Sequence, residues 1–339
     1  MHIEVAVFMM ATLVLLFLNS SASAEEAVPR PLLVGVVGYE GHGSVFTEDL
    51  NAGLGDKIGL KVAYVWHKAP IDPAKIEKFK FNVVDKPADM IGKIDGVIIA
   101  EELPHRYREL AEPFIRAGVR TFLNRPLAAS AKDAVEILRL ARECNTPVMA
   151  ASLLAVDPSV LAVREEWKQY APLKIVNVTG PTNHFWWYVP HSISVLVTAL
   201  GPGIDEIHVH DFTWDQEGVT FRDPLVIFFR YGKDTPVGPV RGTIQIVPQT
   251  QEGDWYGFRM KLYGRKESPE YVLMKTPPGE SPWMPIYKTM IPFFREGKVP
   301  FTQQELLEVP LVLDMILKSA TEKRPVTRSE YDQILAPLR

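Results

Sequence analysis

Gly38, Gly41 and Gly43 close the apolar run Val34-Gly35-Val36-Val37 and open onto Ser44-Val45-Phe46-Thr47, a segment that can start a helix. Glycines spaced this tightly between a strand and a helix suit one kind of chemistry. They let the backbone approach an anion, which the first N–H groups of the helix then hold. The order here is Gly38-x-x-Gly41-x-Gly43, whereas the dinucleotide fingerprint is G-x-G-x-x-G. The turn therefore signals an α/β fold more strongly than it signals a cofactor, and a glycine turn without a ligand would look the same.

Two further groups carry potential binding chemistry. A dinucleotide site places an acid after the second strand, against the adenosine ribose. This chain instead has Trp66-His67-Lys68, and its next acid is Asp72. His67 and Lys68 suit a 2′-phosphate, which favours NADP over NAD, although both also fit a solvated loop. Glu101 and Glu102 end the fourth strand, where a carboxylate repels phosphate but can accept from a ribose hydroxyl. His208 and His210 alternate on one strand, followed by Asp211, with His184 and His191 upstream. That spacing could hold a metal for lyase or hydrolase chemistry, but no second short-range pair supports it, and no metal ligand is assigned.

The elements that position these residues follow from periodicity. From 31 to 151, apolar strands at 32–37, 60–66, 83–84, 95–99, 119–123 and 148–150 alternate with helical stretches at 73–79, 86–91, 105–117 and 131–143. Continuous apolar strands separated by helices predict a doubly wound parallel sheet of the Rossmann type. From 152 to 339 the pattern changes. Helices at 159–169 and 191–200 precede strand-like runs at 206–212, 225–231, 240–246 and 257–263, and two late helices cover 286–296 and 303–318. This predicts an α+β domain with a large, mostly antiparallel sheet open on one face. Such a face invites a second copy of the chain.

Composition narrows the function classes. A net charge of −4 and the lack of long basic runs argue against nucleic acid. Cys144 is the only cysteine, so no intrachain disulfide can form. The apolar stretch 5–18 is short for a membrane span and runs into Ala22-Ser23-Ala24, so residues 1–24 read as a secretory signal cut after Ala24. The expected location is exported, in a periplasm, with no membrane span in the mature chain. An uncut segment would instead serve as an N-terminal anchor.

Several local motifs resemble the oxidoreductase family of glucose–fructose oxidoreductase, inositol dehydrogenase and MocA. In that family the fifth strand ends in Glu-Lys-Pro; here the same place reads Asn124-Arg125-Pro126-Leu127-Ala128-Ala129-Ser130. Its second marker is an Asp followed four residues later by a His, on a helix ending Leu-Gly. Here Trp187 takes the Asp place, His191 keeps the His and Leu200-Gly201 closes the helix. Pro292 to Pro300 and Pro325-Val326 resemble its closing segments.

The resemblance implies hydride transfer between NAD or NADP and a sugar or polyol. It places Arg125 and His191 at the catalytic position, and Gly38, Gly41, Gly43, His67, Lys68, Glu101, Asn124 and Arg125 around the cofactor. A guanidinium stays charged and cannot serve as the base that a Lys provides, so His191 becomes the expected base and Arg125 a holder of oxygen. Trp187, with Tyr188 and His184 beside it, offers a flat platform to a sugar, or simply packs. The same departures also fit a lapsed homologue that binds a carbohydrate or a protein without turnover.

Overall fold

The β-branched and aromatic runs of the first half form six strands: β1 (Leu32–Val37), β2 (Leu60–Trp66), β3 (Asn82–Val83), β4 (Gly96–Ile99), β5 (Arg120–Asn124) and β6 (Val148–Ala151). The coordinates are a computed structural model that describes residues 30–210, 212–216, 218–248, 257–276 and 279–338. All neighbouring strands pair in parallel, in the order β3-β2-β1-β4-β5-β6. Strand order reverses between β1 and β4, and such a reversal leaves a crevice beyond the carboxyl ends of the strands.

Both faces of this sheet are buried, which is why its strands read as unbroken apolar runs. On one face Val37, Val97, Ile99 and Leu123 pack with Leu110 and Phe114 of a helix at Tyr107–Arg116 and with Ile137 of a helix at Ala131–Glu143. On the other, Val34, Val36, Ile98 and Phe122 pack with Phe46 and with Ile286, Tyr287, Met290, Phe293 and Phe294. The last five belong to the helix Met284–Glu296, which returns to the first sheet from late in the chain. Gly96 admits this helix, because a Cβ there would lie 2.2 Å from Phe294.

The second sheet contains β7 (Ile175–Pro181), β8 (Ile204–Val209), β11 (Leu225–Tyr231), β12 (Arg241–Val247), β13 (Phe258–Tyr263), β14 (Tyr271–Leu273) and β15 (Val326–Thr327). Its order is β14-β13-β7-β12-β11-β8-β15. All its pairs are antiparallel except β7 with β12, which run parallel, so the sheet is mixed. A short hairpin, β9 (Trp214–Gln216) with β10 (Thr220–Phe221), lies outside it.

The helix Phe185–Leu200 packs on one face of the second sheet. It starts six residues earlier than its periodicity suggests, because Phe185 and Trp186 are buried in its first turn. His191 is therefore in mid-helix rather than at a helix start. The opposite face exposes Ile175, Phe228 and Val272 among charged residues. Among the described residues, no helix is long and apolar enough to cross a membrane. The segment 1–24, read above as a secretory signal, lies outside the described residues, as does Asp211.

Candidate active site

The glycine turn forms without a side-chain cap. Gly38 leaves β1 at φ +99°, and a Cβ there would meet the backbone of Ala100 and Glu101 at 2.8–2.9 Å. Gly43 is in the first turn of the helix His42–Asp49, where a Cβ would lie 2.0 Å from the Gly38 carbonyl oxygen. Gly41, at φ +50° and ψ −121°, precedes the helix, and a Cβ on it would point into open space. One glycine makes the turn, one leaves an open cradle and one brings helix and strand together. These are the three roles a dinucleotide turn needs. Gly38 and Gly43 keep the five-residue spacing of the fingerprint's outer glycines; only the middle one has moved by one residue.

The cradle opens onto a cavity of about 360 Å³ lined by Gly41, His42, Glu101, Asn124, Arg125, Trp187, Tyr188 and His191, among others. Trp283, from the connector before the helix Met284–Glu296, closes one side. Its ring meets His42 edge-on at 4.5 Å between centroids. Leu153 and Leu154 after β6 and Phe258 of β13 add apolar wall.

Arg125 and His191 meet directly across the crevice. Arg125 Nε donates to His191 Nε2 at 3.1 Å, and Arg125 Nη2 reaches the Trp187 carbonyl at 3.4 Å. His191 Nδ1 lies 2.5 Å from Ser152 Oγ, which also accepts from the Leu154 N–H at 3.0 Å. Burial, with the nearby Arg125 and His42, holds the His191 imidazole neutral, well below the ordinary histidine range. Burial also lowers the Arg125 guanidinium to about 10, where it is still charged at neutral pH.

The remaining expected site residues divide into two sets. Gly41, Glu101, Asn124, Arg125, Trp187, Tyr188 and His191 share the one cavity. His67, Lys68 and His184 are outside its wall. His67 Nδ1 accepts from the Tyr39 N–H at 3.1 Å and braces the glycine turn. Lys68 pairs with Glu40 at 2.9 Å. His184 caps its helix by accepting from the Trp187 N–H and stacks on the Trp187 ring at 4.0 Å. Burial, then Arg125, lowers the His184 pKa to about 4. Among the described residues, no three His, Cys, Asp or Glu side chains gather as metal ligands.

His42, Ser152 and Trp283 were not anticipated. His42 lies inside the glycine motif and its type alone was a usable signal. Ser152 and Trp283 gave none, since their role depends on what the fold brings opposite them.

The residues present fit a dinucleotide. The open cradle at Gly41 and the uncapped helix start, with no acid in its first turn, suit a diphosphate. Glu101 is 5% exposed and its Oε1 has no hydrogen-bond partner, so a buried acceptor stands ready beside the turn for a hydroxyl donor.

A parallel sheet with this strand order, a glycine-built first turn and a facing mixed sheet define a Rossmann-type protein with an appended α+β domain. Residues 32–152 match the model of the oxidoreductase family with the NAD-binding Rossmann fold, Gfo/Idh/MocA. The domain they form belongs to that family. A Saccharomyces cerevisiae protein, YMR315W, is 28% identical over 160 residues, which span 44% of this chain and 45% of that protein.

Solved structures share the fold over most of the chain. A probable dehydrogenase from Thermotoga maritima has a TM-score of 0.69 at 15% identity, covering 88% of this chain and all of that one. A Lactobacillus casei myo-inositol dehydrogenase, in complex with NAD(H) and myo-inositol, has a TM-score of 0.70 at 14% identity, covering 88% and 96%.

Proposed function

We propose that the protein is an NAD(P)-dependent oxidoreductase that acts on a CH–OH group of a sugar or polyol. One observation carries the reading: the open cradle at Gly41 faces the same cavity as a half-buried guanidinium and two neutral imidazoles. A bound nicotinamide would supply the hydride acceptor that side chains cannot provide.

The residues of the chain account for the rest. The N–H groups at the start of the helix His42–Asp49 hold the diphosphate. Arg125 holds the substrate oxygen and stabilises negative charge that develops on it. His191, braced by Ser152, keeps Arg125 in place. Trp187 and Tyr188 present ring faces to an apolar sugar face. The polyol bound by the Lactobacillus casei relative supports this substrate class. Lys68, beyond the turn, inclines the nucleotide choice towards NADP.

Export and self-association belong to the same reading. The apolar segment before Ala24 is its export signal, and a second copy covers the sheet face that exposes Phe228.

Titration of the purified protein with NADPH and NADH tests the reading. The expected result is a saturable fluorescence change that Gly41→Val abolishes, because the new side chain fills the cradle. No saturable change with either nucleotide overturns it. Nucleotide-independent binding of polyols without turnover would favour the lapsed homologue instead.

A further inference from the structure

We propose that His42, rather than His191, exchanges the proton of the reacting hydroxyl, while Arg125 holds its oxygen. This rests on the oxidoreductase reading and names the proton-handling residue of that site. Two hydrogen-bond chains, each anchored on a group whose polarity cannot change, set where the ring protons are.

The first chain starts at the Asn124 side-chain oxygen, which can only accept. That oxygen, Oδ1, is 3.0 Å from His42 Nδ1. An amide oxygen only accepts, so the His42 proton is on Nδ1. Burial and Arg125 hold His42 neutral, at about 3, so this is its only ring proton. Nε2 keeps its lone pair. It has no hydrogen-bond partner among the described residues, and the ring lines the cavity.

The second chain starts at Arg125, which can only donate. Its Nε–H occupies His191 Nε2, so the His191 proton is on Nδ1 and goes to Ser152 Oγ. Both His191 nitrogens are therefore engaged. The imidazole with an open lone pair is the one that the resemblance does not assign.

The two rings are 6.2 Å apart between centroids, with Arg125 beside them. One hydroxyl oxygen between the walls can donate to His42 Nε2 and accept from the guanidinium, each at about 2.8 Å. When the alcohol is oxidised, its C–H hydrogen leaves with both bonding electrons to the nicotinamide dinucleotide. The O–H proton passes to His42 Nε2, and the O–H electron pair becomes the second C=O bond. Arg125 keeps the oxygen, and His42 returns its proton to water.

The charged and titratable groups facing His42 are Arg125, His191 and Tyr188 across the crevice and Glu101 and Glu102 at the end of β4. A diphosphate on the adjacent N–H groups adds negative charge beside the ring and raises its basicity towards neutrality.

Two measurements test the proposal. Long-range ¹H–¹⁵N spectra of histidine-labelled full-length protein, assigned with His42→Asn and His191→Asn, are expected to show both imidazoles protonated on Nδ1. A His42 proton on Nε2 overturns the arrangement without reference to activity. In turnover with NAD(P), His42→Asn and His42→Gln are expected to keep nucleotide affinity within about threefold and to lose about 10²-fold in kcat. They should also lose the acidic limb of the pH profile and recover in part with added imidazole. His191→Asn should keep that limb and mainly raise KM. Retained activity in both His42 variants, or loss of the limb in His191→Asn instead, overturns the proposal alone. Failure of the wild type to bind either nucleotide overturns the oxidoreductase reading and the proposal with it.

Discussion

The glycine turn and the Ser152–His191–Arg125 chain reach one cavity from opposite walls and build it from different materials. At the turn the backbone does the work. What matters is the absence of a Cβ at Gly38 and Gly43 and the open space at Gly41, while neighbouring side chains such as Tyr39 and Glu40 point to Glu48 and Lys68. On the other wall the backbone is ordinary helix and loop, and side-chain polarity decides everything. Its glycine positions should therefore be intolerant of volume, with His42 the side chain of the turn whose polarity matters. The His191 wall should show the reverse.

The largest test of that contrast is Gly43→Ala. Its Cβ would lie 2.0 Å from the Gly38 carbonyl oxygen, and backbone cannot swing aside as a side chain would. We expect a loss of about 3 kcal/mol in urea unfolding, with a lower thermal midpoint. Stability close to that of the wild type would show that the turn is held less tightly than the contact implies.

A smaller effect comes from pH. His42 and His191 are neutral in the fold, with pKa values held below the ordinary 6.5 by burial first and then by Arg125. Below 6.5 the unfolded chain binds protons that the native state refuses. Their contribution is fully present above 6.5 and is lost as pH falls towards about 3, where His42 titrates. The decline should be at most about 1.4 kcal/mol per pH unit for each ring. Urea midpoints at pH 7.5 and 5.5 measure it, and the drop should shrink in His191→Asn. An equal drop in that variant removes His191 from the account.

The smallest effect is expected for Ser152→Ala, which leaves His191 Nδ1–H without its acceptor. About 1 kcal/mol of stability should be lost. KM should rise more than kcat falls, because Arg125 loses its brace and not its charge. A loss confined to kcat would instead make His191 the proton acceptor.

The fold was readable where local pattern and tertiary role coincide. The six parallel strands are continuous apolar runs because both faces of the sheet are covered. The helix at Ala131–Glu143 shows its Ser130 cap directly, with Ser130 Oγ accepting from the Asp133 N–H. Pattern failed where a distant segment sets the environment. The helix Phe185–Leu200 starts early because Phe185 and Trp186 have a buried place to go, which no spacing displays. The parallel pairing of β7 with β12 depends on chain crossings that alternation does not record.

The site divides in the same way. Arg125 and His191 stand out in the sequence as residue types at particular positions. That one fills the lone pair of the other is a fact about distance. His42 was visible within the glycine motif, but its significance emerged only once the Asn124 side-chain oxygen had set which of its nitrogens carries the proton.

The helix Met284–Glu296 has a consequence for how the chain matures. It supplies Phe293 and Phe294 to a sheet whose last strand ends at Ala151. A nascent polypeptide leaving the ribosome must therefore wait for well over a hundred further residues before that layer is roofed. In the meantime Val36, Ile98 and Phe122 are covered on that side only in part, by Phe46. A fragment cut after residue 152 should accordingly be sticky and poorly soluble, even though its strand arrangement is complete.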